Sequence, residues 1–176
     1  MLAAGCGHAE TPSPPTAPAN KPELLCAPAP EGSLRARLQG AIDAELDWSP
    51  PQVAPCLGGT RPQGDGVRLV YKGELDGTPL LIVIGIASLA RDTASARNVP
   101  ANVTLVREGA GEFYSTQGDD KCALDEVQQE PIAGQTGRYR LTARGYCTQP
   151  ARALSGDGAV LVTRFDAVAI VDYPKE

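Results

Sequence analysis

The run CALDEVQQEPIAGQTGRYRLTARGYC, residues 122–147, decides the fold of this chain. It reads as two strands, 122–129 and 138–147, on either side of Pro131-Ile132-Ala133-Gly134-Gln135-Thr136-Gly137, whose proline and glycines favour a chain reversal. A cysteine stands at each outer end. If Cys122 lies opposite Cys147 in an antiparallel pair, Asp125 faces Arg144 and Val127 faces Thr142. Both are favourable cross-strand combinations, provided no bulge interrupts the register.

Working outward, the same kind of segment recurs. Strands are expected at 67–72, 79–87, 102–107, 112–116 and 159–173, in addition to 122–129 and 138–147. Asp76-Gly77 and Gly109-Ala110-Gly111 carry the chemistry of tight hairpin links. The stretch Leu80-Leu81-Ile82-Val83-Ile84-Gly85-Ile86-Ala87 is the longest apolar run, far short of the ~20 residues of a membrane span. The last segment changes parity: Val160 and Val162 share one face, whereas Phe165, Ala167, Ala169 and Val171 share the other. One strand with a bulge near Arg164-Phe165, or two shorter strands, would satisfy that pattern. Residues 89–100 show no strong pattern and are expected as a crossing loop. Ahead of the strands, Leu34, Leu38, Ala41, Ile42 and Leu46 recur at helical spacing behind a plausible cap, Ser33. An amphipathic helix over 33–47, stopped by Pro50-Pro51, is therefore expected. The fold class is mainly β: an antiparallel sandwich or partly closed barrel of about seven strands behind one helix.

The chain has five cysteines. Cys26, Cys56, Cys122 and Cys147 form an even set whose neighbours stand 25 to 66 positions apart, too far for paired zinc ligands. Of three possible pairings, Cys26–Cys56 and Cys122–Cys147 join sequence neighbours and are favoured. Each bridge would be worth about 3–4 kcal/mol in the chain-entropy account.

The remaining cysteine closes Leu2-Ala3-Ala4-Gly5-Cys6, which resembles the lipobox of bacterial lipoproteins. The resemblance implies that residues 1–5 are the remnant of a signal peptide and that Cys6 carries acyl chains. It implies an address in the bacterial envelope, facing the periplasm and more in keeping with the outer than the inner membrane. Residues 7–22 contain Pro12, Pro14, Pro15, Pro18 and Pro22 and few large apolar side chains, the composition of an extended tether. In polyproline geometry it would reach roughly 50 Å. Residues 23–176 then form a single β-rich domain. The whole plan is similar to that of envelope lipoproteins of high-GC Gram-negative bacteria with a disulfide-bonded β domain, and it carries no catalytic residue across.

Chemistry is sparse in the folded part. The single histidine is His8, inside the tether, so a catalytic triad or a His-ligated zinc has no histidine to use in the domain. The net charge of −5 argues against a nucleic-acid partner. No phosphate-cradling loop or dinucleotide fingerprint occurs, and no cofactor is expected. Three groups remain. Asp119 and Asp120 are a candidate Ca²⁺ site, although Gly118-Asp119-Asp120 is also ordinary turn chemistry. Glu108 with Asp120 is a nominal carboxylate pair for glycoside hydrolysis. Tyr114, Arg144 and Tyr146 are candidates for an exposed amphipathic patch. The expectation is a non-enzymatic binding or structural module, attached to the membrane by lipid, with an envelope protein or peptidoglycan as partner. A carboxylate-dependent hydrolase of periplasmic glycans is the alternative.

Overall fold

The structure is a computed structural model and describes residues 1, 32–50, 54–61 and 66–173. Among these residues there is no helix. The strands are β1 (Ser33–Gly40), β2 (Ala44–Trp48), β3 (Ala54–Thr60), β4 (Val67–Leu75), β5 (Thr78–Ile86), β6 (Ser95–Ala96), β7 (Val99–Arg107), β8 (Glu112–Ser115), β9 (Cys122–Pro131), β10 (Arg138–Cys147), β11 (Ala151–Ala153) and β12 (Ala159–Asp172). Seven of them close a ring in the order β12-β10-β9-β7-β5-β4-β3. All its pairings are antiparallel except the last. There β12 meets β3 in parallel through Val171 opposite Gly58 and Asp172 opposite Gly59. β8 and β11 make a second bridge between β7 and β12, and the β1–β2 hairpin branches from β12. The result is a partly closed antiparallel barrel with short seams.

The helix expected over 33–47 is instead the β1–β2 hairpin. Two periods compete in this stretch. Leu34, Leu38 and Leu46 fit a helix, but Leu34, Ala36 and Leu38 also alternate with Arg35, Arg37 and Gln39, and Leu46 and Trp48 alternate with Glu45 and Asp47. Pairing with β12 settles it, burying every member of the alternating set. Gly40 ends β1 at φ +113°, and a Cβ there would lie 2.4 Å from the Ala159 carbonyl oxygen. A helix interior accommodates neither. At the end of β2, Trp48 lies over Gly73 of β4. A Cβ on Gly73 would sit 2.6 Å from the indole, so this glycine makes room for the ring that seats the hairpin on the barrel.

The β9–β10 hairpin forms with Cys122 bonded to Cys147. Its register begins as expected, with Ala123 opposite Tyr146 and Leu124 opposite Gly145. It then slips by one residue, placing Glu126, not Asp125, opposite Arg144 and Val127 opposite Ala143 rather than Thr142. The bulge at Asp125 lets Cys122 and Leu124, then Val127 and Gln129, all face inward despite their change of parity. β12 does the same. It runs unbroken, and its register against β1 jumps between Arg164 and Val162, leaving Thr163 as the extra residue. The Thr163 hydroxyl donates to the Arg37 carbonyl at 3.4 Å.

Inside the ring, Leu34, Leu38, Ile82, Ile84, Val103 and Phe165 converge from β1, β5, β7 and β12 and leave an unfilled space of only about 10 Å³. That is too small for a ligand and at the lower limit for one water. The barrel is a packed core. The segment between β5 and β7 is held by the short β6–β9 pairing, by Leu89 in the core and by a buried polar side chain, Gln129. Its amide donates to the carbonyls of Ala90 (3.0 Å) and Thr93 (2.9 Å), and its side-chain oxygen accepts from Tyr173. Tyr173 in turn meets Tyr139 edge to face, with ring centroids 5.4 Å apart.

Candidate functional site

The outer surface of β2-β1-β12-β10-β9 carries an open groove of about 660 Å³. Its making is a matter of register. Outward positions of neighbouring strands align to give the row Asp47, Arg35, Asp166, Arg144, Glu126, one residue per strand with strictly alternating charge. Arg35 Nε lies 3.2 Å from Asp47 Oδ1, and Arg144 Nε lies 2.9 Å from Asp166 Oδ1. Gln128 donates to Glu126 at 3.0 Å and extends the row's hydrogen bonding. The hydrogen bond and charge of Asp166 raise the Arg144 pKa further, so its positive charge is fixed at any working pH. A parallel set crosses the hairpin two residues away, with Arg37 2.7 Å from Asp43 and Arg164 3.2 Å from Glu45. Ser33, Ser49 and Thr142 complete the groove with hydroxyls. Exposed pairs of this kind contribute little to stability singly, about 0–1 kcal/mol each. What the ladder supplies is a polar face whose donors and acceptors are held in fixed positions.

Of the three residues expected in one amphipathic patch, the structure keeps two together. Arg144 and Tyr146 both point outward from β10, and Tyr146 remains 40% exposed. Tyr114 does not join them. It is buried at 5% exposure, opposite Leu105 on the inner face of β8, with its ring against Gly158. Burial raises its phenol pKa. Phe113, its neighbour, is the residue that faces out, at 39% exposure.

Asp119 accepts from Arg61 and from the Asn102 amide, each at 2.7 Å, and the Arg61 hydrogen bond holds its carboxyl below the usual carboxylate range. The carboxylate thus already faces a guanidinium, which opposes a second cation. Asp120 lies 3.2 Å from Lys121 Nζ. Among the described residues no three His, Cys, Asp or Glu side chains gather in a metal-binding group. Glu108 pairs with Lys72 at 2.8 Å just beyond the C-terminal end of β7. Asp120 follows Asp119, which is tied to Asn102 near the other end of that strand. The six residues from Asn102 to Glu108 span about 20 Å, well beyond the separations at which two carboxylates act on one glycosidic bond. Cys6 and Cys26 lie outside the described residues, and Cys56 occupies a β3 position opposite Val70.

Arg35 and Asp47 are not legible as groove residues while 33–47 reads as a helix, and Asp166 and Glu126, on expected strands, lack the partners that would single them out. On a helix, Arg35 and Asp47 would not align with strand residues. The usable signal was the opposite charge at outward strand positions, Arg35 and Arg37 against Glu45 and Asp47. No protein family, curated protein or solved structure matches this chain.

Proposed function

We propose that this chain is a non-enzymatic binding module of the bacterial envelope, held at the membrane by lipid on Cys6, with the β2-β1-β12-β10-β9 groove as its contact surface for peptidoglycan. The observation that carries the reading is the five-strand charge ladder. Its guanidinium and carboxylate groups largely neutralise one another, and the groove's lining is mixed, charged and hydroxyl side chains alternating with Ala143, Ala167 and Val168. Such a surface suits an extended polymer rich in hydroxyls, amides and zwitterionic peptide branches. It does not suit a polyphosphate, which needs unopposed positive charge. Tyr146 adds an exposed ring beside Arg144 on which a sugar can rest.

Co-sedimentation of the full chain with purified peptidoglycan sacculi tests the reading, comparing wild type with the double variant Arg35→Glu, Arg144→Glu. Binding weakened by at least about tenfold, ~1.4 kcal/mol, is expected. Wild-type protein that stays in the supernatant, or a variant that sediments equally well, refutes it. Mass spectrometry of the N-terminal peptide from a membrane fraction tests acylation of Cys6 separately.

A further inference from the structure

The charges of the groove's ladder do not pair off evenly. Arg35 takes Asp47 and Arg144 takes Asp166, which leaves Glu126, at the β9 end, over. Among the described residues Glu126 enters no ion pair, and its one hydrogen bond comes from the Gln128 amide, at 3.0 Å to Oε1. The β9 bulge sets a second exposed carboxylate, Asp125, directly beside it. Arg144 is the cross-strand partner of Glu126, yet it engages Asp166 on the opposite neighbouring strand, and through Nε alone. Its side chain is 64% exposed, so its two terminal NH2 groups are open to a ligand.

A carboxylate without a cation and a guanidinium with unused donors thus stand side by side, on Cα positions about 5 Å apart. We propose that this corner of the groove binds an α-amino carboxylate head, with its ammonium on Glu126 and its carboxylate on Arg144. The assignment rests on the peptidoglycan reading of the groove and names the part of the polymer that is recognised. That part is a peptide branch whose diamino diacid keeps a free amine and a free carboxylate on one carbon.

The chemistry of the corner favours that head over its alternatives. The ammonium nitrogen and the carboxylate carbon each lie about 1.5 Å from the shared carbon, so one head meets both members of a directly opposed pair. Its carboxylate then gains a charge-assisted hydrogen bond from Arg144, and its ammonium donates one to Glu126. A carboxylate alone would meet repulsion from Glu126 and Asp125, and a metal ion would meet the guanidinium. An uncharged sugar would leave both groups without a partner. In the adjoining row Thr142 and Gln128 face each other across β9–β10 and line the groove, offering a hydroxyl and an amide to the peptide bonds behind the head. A cross-link turns the ammonium into an amide, which removes its charge and adds an acyl group beside Glu126. The corner therefore distinguishes branches that have not been cross-linked from those that have.

The test titrates the full chain with a soluble disaccharide-peptide released from sacculi whose peptides contain a diamino diacid, before and after N-acetylation of its free amine. The intact form should bind, and acetylation should weaken it at least about tenfold, as loss of a charge-assisted hydrogen bond does. Acetylation alters only the ligand, so this comparison is independent of how any variant folds. Glu126→Gln should weaken the intact form and leave the acetylated form unchanged, so that the two losses do not add. Free alanine, which has the head but no branch, should not displace the disaccharide-peptide at equal concentration. Equal affinity for the intact and acetylated forms overturns the proposal. So does a Glu126→Gln variant that keeps the full preference for the intact form, or free alanine that binds as tightly as the branch. Whole sacculi separate this assignment from the reading beneath it. Equal pelleting with native and amine-acetylated sacculi overturns the head and leaves the peptidoglycan contact standing, whereas pelleting with neither overturns both.

Discussion

Replacing Gln129 by leucine should be among the most damaging single changes at a polar position. Gln129 is 3% exposed, and its side chain serves three partners: the Ala90 and Thr93 carbonyls and the Tyr173 hydroxyl. Leucine of similar size fills the space but leaves all three unpaired. A buried group stripped of its partner costs about 1–3 kcal/mol. Ala90 and Thr93 lie on the connecting segment, which can open toward water, so the full penalty falls mainly on Tyr173 and in part on the carbonyls. The added apolar burial of leucine returns about 1 kcal/mol. The balance is a loss of roughly 2–4 kcal/mol, equivalent to a fall in Tm of some 5–15 °C for a domain of this size. Urea denaturation followed by circular dichroism measures it, with an unchanged m value showing that the unfolding reaction is the same. Tyr173→Phe, which removes one bond from the same network, should lose less, and the double variant should lose less than the sum of the two. Gln129→Leu within about 0.5 kcal/mol of wild type would refute the claim that this side chain's hydrogen bonds help hold the β5–β7 connection.

Other perturbations test other parts of the fold. Burial pushes the Tyr173 phenol up to about 12 and that of Tyr71 higher still, so both are neutral in the folded state. Their folded pKa values exceed the unfolded ones, so this stabilisation is complete below pH ~10 and is lost as pH rises through the folded values. Stability should therefore begin to fall above pH ~10, and in Tyr173→Phe that alkaline fall should be shallower, as read by urea denaturation across pH. Asp119, whose carboxyl is lowered by Arg61, gives the opposite sign. Its small contribution is present above the unfolded pKa and disappears as pH falls through the folded one, so Asp119→Asn should flatten the acid limb of a stability–pH curve. Gly73→Val drives a side chain into Trp48, and should lower the urea midpoint and redshift the tryptophan emission. Removing Cys122–Cys147, which closes a 25-residue separation, with the double variant Cys122→Ala, Cys147→Ala should cost about 3.5 kcal/mol, measured as the shift in urea midpoint under non-reducing conditions.

Where the sequence could be read, one period had no competitor; where it misled, two periods overlapped. The seven expected strands all form, because each places β-branched or aromatic residues between turn signals, and the Asp76-Gly77 reversal takes positive φ at both residues, as a tight hairpin demands. At 33–47, Leu34, Leu38 and Leu46 belong to both periods, and Ala36 does not separate them, since alanine suits a helix or the inside of a crowded barrel equally well. Only contact with Phe165 across β12 makes it a core residue. The Asp125 bulge was visible in the same way as the one in β12, through inward apolar residues that change parity at Leu124 and Val127. The facing cysteines suggested an unbroken register instead. The groove was less legible, for a reason intrinsic to barrels. Its ladder draws one residue from each of five strands, and their alignment depends on both bulges. Without the extra residue in β9, Arg144 would face Asp125 and the row would end on a different carboxylate. Without Thr163, pairing between β1 and β12 could not place inward residues on both sides of the jump. The core thus sets the surface. The bulges that keep Leu124, Val127, Val162 and Phe165 buried are the same ones that bring Arg35, Asp166, Arg144 and Glu126 into line, so deleting Thr163 should disturb sacculus binding and stability together.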